Sequence, residues 1–366
     1  MRTRVVSVLA IGTVGALALA GCGGGSSSGG SSSSSSSKAS GGAQVGVILP
    51  DTQSSVRWEA FDKPYLQKAF DDASVKVDIQ NALGDKTKMA TIADSMIQEG
   101  VKVLIITNLD SPSGAQIESK AKAAGIKTID YDRLTLGGSA DYYVSFDNVK
   151  VGELQGSTLI KCIGDKAGAR IIELNGSPTD NNATLFKQGY DSQLDPKYAA
   201  GWVKVGDKSV PNWDNAQGGV YFEQMLTAAG NKVDGVLAAN DGLGNAVITV
   251  LKKAGLKVPV SGQDATVQGL QNILLGDQCM TVYKAVKAEA KGAADAAVAL
   301  IKGSSVATTG TTKDATGKRD VPSVLLTPVA ITADNVKDVV ADGFVKTSDI
   351  CTSADLQAAC TKYGVK

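Results

Sequence analysis

An acid and a base stand side by side at Asp132-Arg133, where a short β-branched segment over 125–133 ends. In an α/β domain the carboxyl ends of parallel strands face the ligand crevice. There the carboxylate offers two acceptor oxygens and the guanidinium a planar fork of donors, which suits a ligand rich in hydroxyl groups. A surface ion pair beside a loop is the alternative for these two residues taken alone.

Similar polar side chains and two tryptophans follow other apolar segments. Pyranose rings carry hydroxyls that donate and accept around an apolar C–H face, so Asp, Asn, Arg, Lys and flat aromatics together suit them. Aromatic residues form only 5% of the chain, so tryptophans at two strand ends favour a binding role over core packing. The strand ends lead to Asp51, Arg57-Trp58, Asp132-Arg133, 177–182, Asn212-Trp213-Asp214, Asn240-Asp241, Gln263-Asp264 and Lys284.

Alternating strands and helices must position these residues. The apolar patterns predict strands at 45–49, 75–80 and 101–107, then the segment 125–133, with helices at 56–72, 86–98 and 113–124. Strands separated by helices of this length are typical of right-handed βαβ units and a parallel sheet. The first part of the chain is therefore predicted to be a doubly wound α/β array.

The pattern restarts after the segment 142–146. Predicted helices cover 149–163, 181–194, 215–229, 243–254 and 267–275, and predicted strands cover 169–174, 202–205, 235–239, 258–261 and 280–283. An Ala-rich helix at 285–302, a Gly/Thr/Ser-rich loop and an apolar stretch at 321–331 follow. The fold class is therefore α/β, with two doubly wound parallel-sheet lobes.

Composition excludes several classes of function. The 37 Lys and Arg balance the 37 Asp and Glu, so neither a nucleic-acid footprint nor a polybasic membrane patch is indicated. The chain has no histidine, which removes His-dependent triads and His metal ligands. No P-loop motif occurs, so the chain is not expected to hydrolyse ATP. No catalytic residue, metal or cofactor is predicted.

The N-terminus has the features of an export signal. Arg2 and Arg4 precede an apolar run over 5–20 that is short for a transmembrane helix. Its ending, Leu19-Ala20-Gly21-Cys22, resembles a bacterial lipobox, in which the cysteine is lipidated. We expect a signal peptide at 1–21, a lipidated Cys22 and a Gly/Ser tether at 22–42. The protein would then be extracytoplasmic and held to the outer face of the cell membrane through lipid alone.

The remaining four cysteines are disulfide candidates in an exported chain. They allow three pairings. Cys351 and Cys360 are near enough in sequence to close a small loop, and Cys162 with Cys279 would then form the second bridge. The sequence leaves the other pairings open.

Several of the strand-end motifs occur together in one known family. The chain resembles the periplasmic sugar-binding proteins of ABC importers, in the pentose and hexose group of the type I fold. The resemblance runs from about Val45 to about Phe344. The motifs that carry it are Arg57-Trp58, Tyr131-Asp132-Arg133, Ser145-Phe146-Asp147-Asn148, Gly176-Ser177-Pro178, Asp180-Asn181-Asn182-Ala183, Asn240-Asp241-Gly242, Ser261-Gly262-Gln263-Asp264-Ala265 and Thr281-Val282-Tyr283-Lys284.

The resemblance implies two lobes that close over one sugar and are joined by three crossovers. These would lie near 146–148, after Lys284 and near 326–329. The implied first lobe is 43–147 plus 285–327, the second is 148–284 plus 328–346, and 347–366 forms a tail. The implied ligand-binding residues are Arg57, Trp58, Asp132, Arg133, Asn182, Trp213, Asn240, Asp264 and Lys284, with the two tryptophans on opposite faces of the sugar.

Three functions follow from this resemblance and from the residues. The first is a substrate-binding lipoprotein that delivers a monosaccharide, D-xylose or a related aldopyranose, to an ABC permease. The second is a protein that binds several aldoses, including glucose, galactose and arabinose, and serves a sensory receptor. The spacing from Tyr198 to Trp213 departs from the xylose pattern and keeps this open. The third is a glycosidase with Asp132 and Asp264 as paired carboxylates, whose charged or amide neighbours argue against it.

Overall fold

A computed structural model describes residues 42–366. The predicted signal peptide, Cys22 and nearly all of the tether lie outside the described residues. Within the described part, the strands are β1 (Val45–Leu49), β2 (Val77–Asn81), β3 (Val103–Ile106), β4 (Lys127–Tyr131), β5 (Tyr142–Phe146), β6 (Arg170–Asn175), β7 (Val203–Ser209), β8 (Gly235–Ala238), β9 (Thr281–Tyr283), β10 (Gly310–Asp314), β11 (Arg319–Leu326) and β12 (Val329–Ile331).

Helices connect most of these strands. They are α1 (Lys63–Asp72), α2 (Lys86–Gln98), α3 (Ser111–Ala123), α4 (Asn148–Ile163), α5 (Asn181–Ala199), α6 (Asn215–Ala228), α7 (Asp241–Lys253), α8 (Val267–Leu274), α9 (Val286–Ile301), α10 (Val336–Ala341), α11 (Thr347–Ile350) and α12 (Ala354–Tyr363). A π-helical turn (Trp58–Asp62) precedes α1, and short 3-10 turns lie at Pro211–Trp213 and Ala333–Asn335.

The first lobe is built on a seven-stranded sheet with the order β10-β11-β5-β4-β3-β1-β2. All its neighbours run parallel except the β10–β11 pair. Helices α1 and α9 supply the core on one face, and α2 and α3 supply it on the other. Because both faces are covered, β1 and β3 are continuous apolar runs and not alternating ones.

The second lobe contains a parallel three-stranded sheet, β7-β6-β8, and the antiparallel pair β12-β9. Helices α4 and α5 pack closely because glycines face each other. A Cβ on Gly152 would lie 2.0 Å from the carbonyl oxygen of Phe186, and one on Gly189 would lie 2.1 Å from that of Val149. This close approach fixes the position of α5, whose first turns face the crevice between the lobes.

The chain crosses between the two lobes three times. It passes from β5 to α4, from β9 to α9 and from β11 to β12. The crossovers are linked, since Asp147 donates its backbone N–H to the Leu326 carbonyl at 3.0 Å and Val329 pairs with Tyr283. The predicted α/β fold with two doubly wound lobes and a three-segment hinge is confirmed.

Two local predictions were wrong. Segment 258–261 makes only an isolated bridge from Val260 to Val236, because Pro259 cannot donate to a sheet ladder. The apolar stretch 321–331 contains two strands in different sheets, β11 and β12, and the chain passes between them at 326–329, where the third crossover was expected. The loop before this stretch contains β10, a polar and mostly exposed edge strand that no apolar pattern indicates.

The predicted disulfide pairing is confirmed. Cys162 is bonded to Cys279, and Cys351 is bonded to Cys360. The tail carrying the second bridge packs on α8, where Gln271 donates its amide to the Ile350 carbonyl at 3.0 Å. Residues 42–366 contain no helix with the length and apolar character needed to cross a membrane.

Candidate functional site

One pocket lies between the carboxyl ends of the strands of the two lobes. Its volume in this conformation is about 30 Å³. All nine residues predicted to bind ligand line this inner pocket, together with Ser54, Ser55, Asp180, Phe186 and Gln263.

Asp132 lies at the centre of the inner pocket. Its Oδ2 accepts a hydrogen bond from Arg57 at 2.8 Å and lies 3.5 Å from Lys284 Nζ, while its Oδ1 accepts from Asn182 at 3.0 Å. Burial acts to raise the pKa of Asp132, but the cations of Lys284, Arg57 and Arg133 outweigh it and lower the pKa to about 2. Asp132 is therefore an ionised hydrogen-bond acceptor at neutral pH.

The backbone of Asp132 has a positive φ of 62°, which is uncommon for residues other than glycine. Its carbonyl oxygen accepts hydrogen bonds from the hydroxyls of Tyr143 and Ser145, both at 2.8 Å. Asp264 and Trp213 also line the pocket and have positive φ values of 95° and 56°. Backbone strain of this kind concentrates at functional sites, where surrounding contacts hold it.

Arg57 is held by carboxylates and not left free for a ligand. It donates to both carboxylate oxygens of Asp62, at 2.8 and 2.7 Å, and to Glu289 Oε2 at 2.6 Å. Tyr131 donates its hydroxyl to Asp62 at 2.7 Å. Since a further donor of Arg57 goes to Asp132, most of its hydrogen-bonding capacity is used within the protein. In this geometry Arg57 positions Asp132.

The sequence did not indicate Asp62 and Glu289 as residues of the site. Glu289 lies on the buried face of the Ala-rich helix α9, and its Oε1 has no hydrogen-bond partner among the described residues. A single acid on an otherwise alanine-lined buried face was the available signal. Burial raises the pKa of Glu289 well above its ordinary value, and nearby Asp132 and Asp62 add to the effect while Arg57 opposes it.

We expect Glu289→Gln to flatten the loss of stability at high pH. The folded pKa of Glu289 exceeds the unfolded value of about 4.3. The protonated carboxyl of Glu289 therefore makes its full contribution to the free energy of unfolding below about pH 4.3. This contribution is lost as the pH rises through the folded pKa, by up to about 1.4 kcal/mol per pH unit. The glutamine would keep the shape of the side chain without the ionisation. The measurement is urea unfolding between pH 5 and 9.

The exposed Glu99 provides the control. Glu99→Gln should follow the wild type at every pH. If Glu289→Gln also loses stability in parallel with the wild type as the pH rises, Glu289 is not the group that titrates.

The loop that carries Asp264 is supported from behind by a second buried acid, Asp241. Asp241 accepts hydrogen bonds from the Thr266 backbone at 2.8 Å, the Thr281 hydroxyl at 2.8 Å and the Gln278 amide at 2.7 Å. Burial raises the pKa of Asp241 to about 7. These contacts hold the strained turn at Asp264 and the following alanine, which have φ values of 95° and 48°.

The two predicted tryptophans lie in opposite lobes. The Trp213 indole N–H donates to Asp180 at 3.0 Å, and its ring fits against Gly176, where a Cβ would lie 2.1 Å from the ring. The Trp58 ring is covered by the guanidinium groups of Arg57, at 4.6 Å, and Arg133, at 5.4 Å. Trp58 thus lines the pocket while stacking on cations.

Polar contacts join the lobes directly across the pocket. Ser55 donates to Asp264 at 3.1 Å, and Asn240 donates its amide to the Ser54 carbonyl at 3.3 Å. Arg133 Nε lies 3.0 Å from Asp180 Oδ2, although the angle does not make a hydrogen bond. Three buried atoms at the pocket have no hydrogen-bond partner among the described residues. They are Arg133 Nε, Gln263 Oε1 and Asp264 Oδ1.

Two of the missed lining residues had local signals. Asp180 caps the N-terminus of α5, its carboxylate accepting from the Asn182 backbone N–H at 2.9 Å. Phe186 is one helical turn beyond Asn182, a spacing that places both on the same helix face. Within residues 42–366, no group of three or more Cys, Asp and Glu side chains is arranged to hold a metal ion.

Comparisons with known proteins agree with this fold. The profile of the periplasmic binding protein domain matches residues 45–305. A D-xylose-binding periplasmic protein of Escherichia coli is 37% identical over 84% of this chain and 92% of its own length. A multiple sugar-binding periplasmic receptor of Rhizobium radiobacter is 35% identical over 82% of this chain and 89% of its own.

Solved structures give the same result. A carbohydrate transporter solute-binding protein from Chloroflexus aurantiacus, in complex with D-glucose, superposes with a TM-score of 0.78 at 31% identity. The match covers 84% of this chain and 98% of that one. On the profile match and the extent of these similarities, the chain belongs to the periplasmic binding protein family.

Proposed function

We propose that this protein is the substrate-binding lipoprotein of a sugar ABC importer, and that it binds one monosaccharide in the inner pocket and delivers it to a permease. The observation that carries the proposal is the gathering of nine polar and aromatic residues at one crevice. A D-xylose-binding periplasmic protein and a solute-binding protein in complex with D-glucose are each similar to this protein over 84% of its chain.

The unpaired polar atoms of the pocket support a ligand that both donates and accepts. Gln263 Oε1 and Asp264 Oδ1 would accept from hydroxyls, and Arg133 Nε would donate to one. Buried polar atoms cost free energy until they are paired, so a ligand that pairs them gains affinity. Contacts from such a ligand to both lobes would stabilise the closed arrangement.

D-xylose or a related aldopyranose is the proposed ligand. The xylose-binding relative supports a pentose. The multiple sugar-binding receptor supports the second candidate, a protein that binds several aldoses and serves a sensory role. In a glycosidase one of the two carboxyl groups must donate a proton, and a pKa of about 2 excludes Asp132 from that role near neutral pH.

We also propose a lipid anchor for the protein and the residue limits of its lobes and tail. The motif Leu19-Ala20-Gly21-Cys22 supports lipidation at Cys22 and an extracytoplasmic location. The proposed first lobe comprises 43–147 with 285–327, and the second comprises 148–284 with 328–346. The tail, 347–366, is the third proposed unit.

Tryptophan fluorescence, together with calorimetry, tests the sugar-binding proposal. We expect titration with D-xylose to change the emission and to release heat, with D-glucose, L-arabinose, D-ribose and D-galactose as the competing panel. Trp213→Phe should reduce the fluorescence change because the ring lines the pocket, and the remaining change should come from Trp58, which also lines it. The matched control is Trp202→Phe, since Trp202 is buried elsewhere in the second lobe.

The result that would contradict the proposal is an absence of heat with every aldose of the panel. A sugar response that survives Trp213→Phe but is lost in Trp202→Phe would instead show that sugar binds, but not in the inner pocket.

A further inference from the structure

A second cavity adjoins the inner pocket on its outward side. Its volume is about 260 Å³, and it shares Arg133, Asp180 and Trp213 with the inner pocket. The remaining lining, which defines the outer cavity, is Asp51, Gln53, Leu83, Gly84, Lys86, Leu109, Ser177, Thr179 and Asn212. Both lobes therefore contribute to it.

The residues that line the outer cavity follow strands that lead away from the crossover side of the crevice. Its lining follows β4, β3, β1 and β2 of the first lobe, which is the sheet order leading away from the crossover strand β5. In the second lobe its lining follows β6 and the edge strand β7. The cavity thus continues the crevice from the inner pocket toward the open edge of both sheets.

The ion pair of Arg133 and Asp180 forms the partition between the two cavities. Both side chains are more than nine-tenths buried, and Arg133 Nε has no hydrogen-bond acceptor among residues 42–366. The same Asp180 carboxylate accepts from the Trp213 indole at 3.0 Å. Arg133 Nε lies 3.0 Å from Asp180 Oδ2 but makes no hydrogen bond to it, so a donor without a hydrogen-bond partner among the described residues stands at the boundary between the two cavities.

The wall of the outer cavity combines apolar and polar groups. Leu83 is 57% exposed although it is a large apolar residue, and Leu109 is half-buried beside it. Gln53 and Asn212 donate through their backbone N–H groups, and their side-chain amides make no hydrogen bond to other described residues. An apolar surface flanked by free amides suits a sugar ring, with its C–H face and its hydroxyls.

We propose that the outer cavity is a second subsite, which takes the outer ring of a disaccharide whose inner ring occupies the inner pocket. This inference rests on the proposed function, because it assumes a sugar in the inner pocket. The chemical class of ligand is then a disaccharide of pyranoses, and xylobiose and cellobiose are the probes. A protein with the inner pocket alone would accept only the monosaccharides.

The test compares monosaccharides with disaccharides by calorimetry. We expect the wild type to bind xylobiose or cellobiose with a Kd within about tenfold of that for the matching monosaccharide, since the second ring adds contacts at an open cavity. Thr179→Trp places a large ring in the outer cavity from an exposed position. This variant should weaken disaccharide binding at least about 50-fold while monosaccharide affinity changes less than about twofold.

Thr227→Trp is the matched control, because Thr227 is exposed on α6 away from both cavities. It should bind both classes of sugar as the wild type does. The inference is overturned if monosaccharides bind and neither disaccharide does, or if Thr179→Trp weakens both classes equally. If no sugar binds at all, the proposed function itself fails and the second subsite fails with it.

Discussion

Asp132→Asn is expected to weaken sugar binding by about 100- to 1000-fold, or about 3 to 4 kcal/mol. Asparagine tolerates the left-handed φ of 62° at this position, so the backbone can stay as it is. What changes is the charge. The carboxylate accepts from Arg57 at 2.8 Å and lies 3.5 Å from Lys284, and a neutral amide would leave both cations partly unbalanced.

The asparagine also replaces one acceptor oxygen by a donor group. Arg57, Lys284 and the Asn182 amide all approach this side chain as donors, so an amide N–H there would oppose one of them. A sugar hydroxyl directed at the carboxylate would lose its strongest acceptor as well. Calorimetry with the preferred aldose measures the loss, and circular dichroism verifies that the variant is folded.

The control for this charge removal is Asp72→Asn. Asp72 is exposed on α1 and pairs with Lys68 one turn away, an interaction worth about 0.3 to 0.5 kcal/mol. It should leave sugar affinity unchanged. Wild-type affinity in a folded Asp132→Asn would remove Asp132 from the binding site.

Lys284→Met is expected to lower the free energy of unfolding by about 3 kcal/mol at pH 7. Lys284 lies in the second crossover, and its Nζ is 3.5 Å from carboxylate oxygens of both Asp132 and Asp264. These acids belong to different lobes. Methionine keeps the length of the side chain but leaves two buried carboxylates without the cation between them, which is the costly way to break a buried ion pair.

The loss should shrink in acid. The pKa of Asp132 is about 2 in the fold, below its unfolded value of about 3.9. The stability that its charged form contributes is therefore present above about pH 4 and is lost as pH falls through about pH 2. Since Lys284 is the largest cationic cause of the lowered pKa, the wild type should converge on the variant across this window.

Urea unfolding at pH 7 and at pH 3 measures both effects. The control is Lys287→Met, three residues further along on the exposed side of α9, where a change within about 0.5 kcal/mol is expected. Equal losses in the two variants would show that the bridge between the lobes adds no stability. A Lys284→Met loss that is the same at both pH values would show that the stability does not depend on the ionisation of Asp132.

Most of the fold could be predicted because its signals are local. Runs such as 45–49 and 103–106 lack polar side chains because helices cover both faces of the sheet, and capping residues such as Asp180 and Asn240 mark where α5 and α7 begin. The elements that were missed lack such signals. Strand β10 is a polar edge strand, and its pairing with β11 depends on a partner that supplies the burial.

The residues of the candidate site likewise fall into those that local sequence indicates and those that it does not. The strand-end acids, amides and tryptophans were visible because each follows an apolar run in the sequence. The buried acids that hold these residues in place were not visible in the sequence. Glu289 contacts Arg57 although the two are 232 residues apart, and no local pattern indicates that contact. The role expected for Arg57 shifts accordingly, from a direct sugar contact toward the positioning of Asp132.

By itself, the sequence determined the two α/β arrays and the residues at their strand ends, because hydrophobic periodicity and spacing are properties of neighbouring residues. Only the tertiary structure decided which donors are used up within the protein and which stay free. In the structure, Arg57 is bonded to Asp62 and Glu289, whereas Arg133 Nε lies beside Asp180 without a hydrogen bond to any described residue and borders a second cavity. Hydrogen-bond partners, strain and burial depend on distant segments meeting in space, and the order of residues along the chain does not encode that meeting locally.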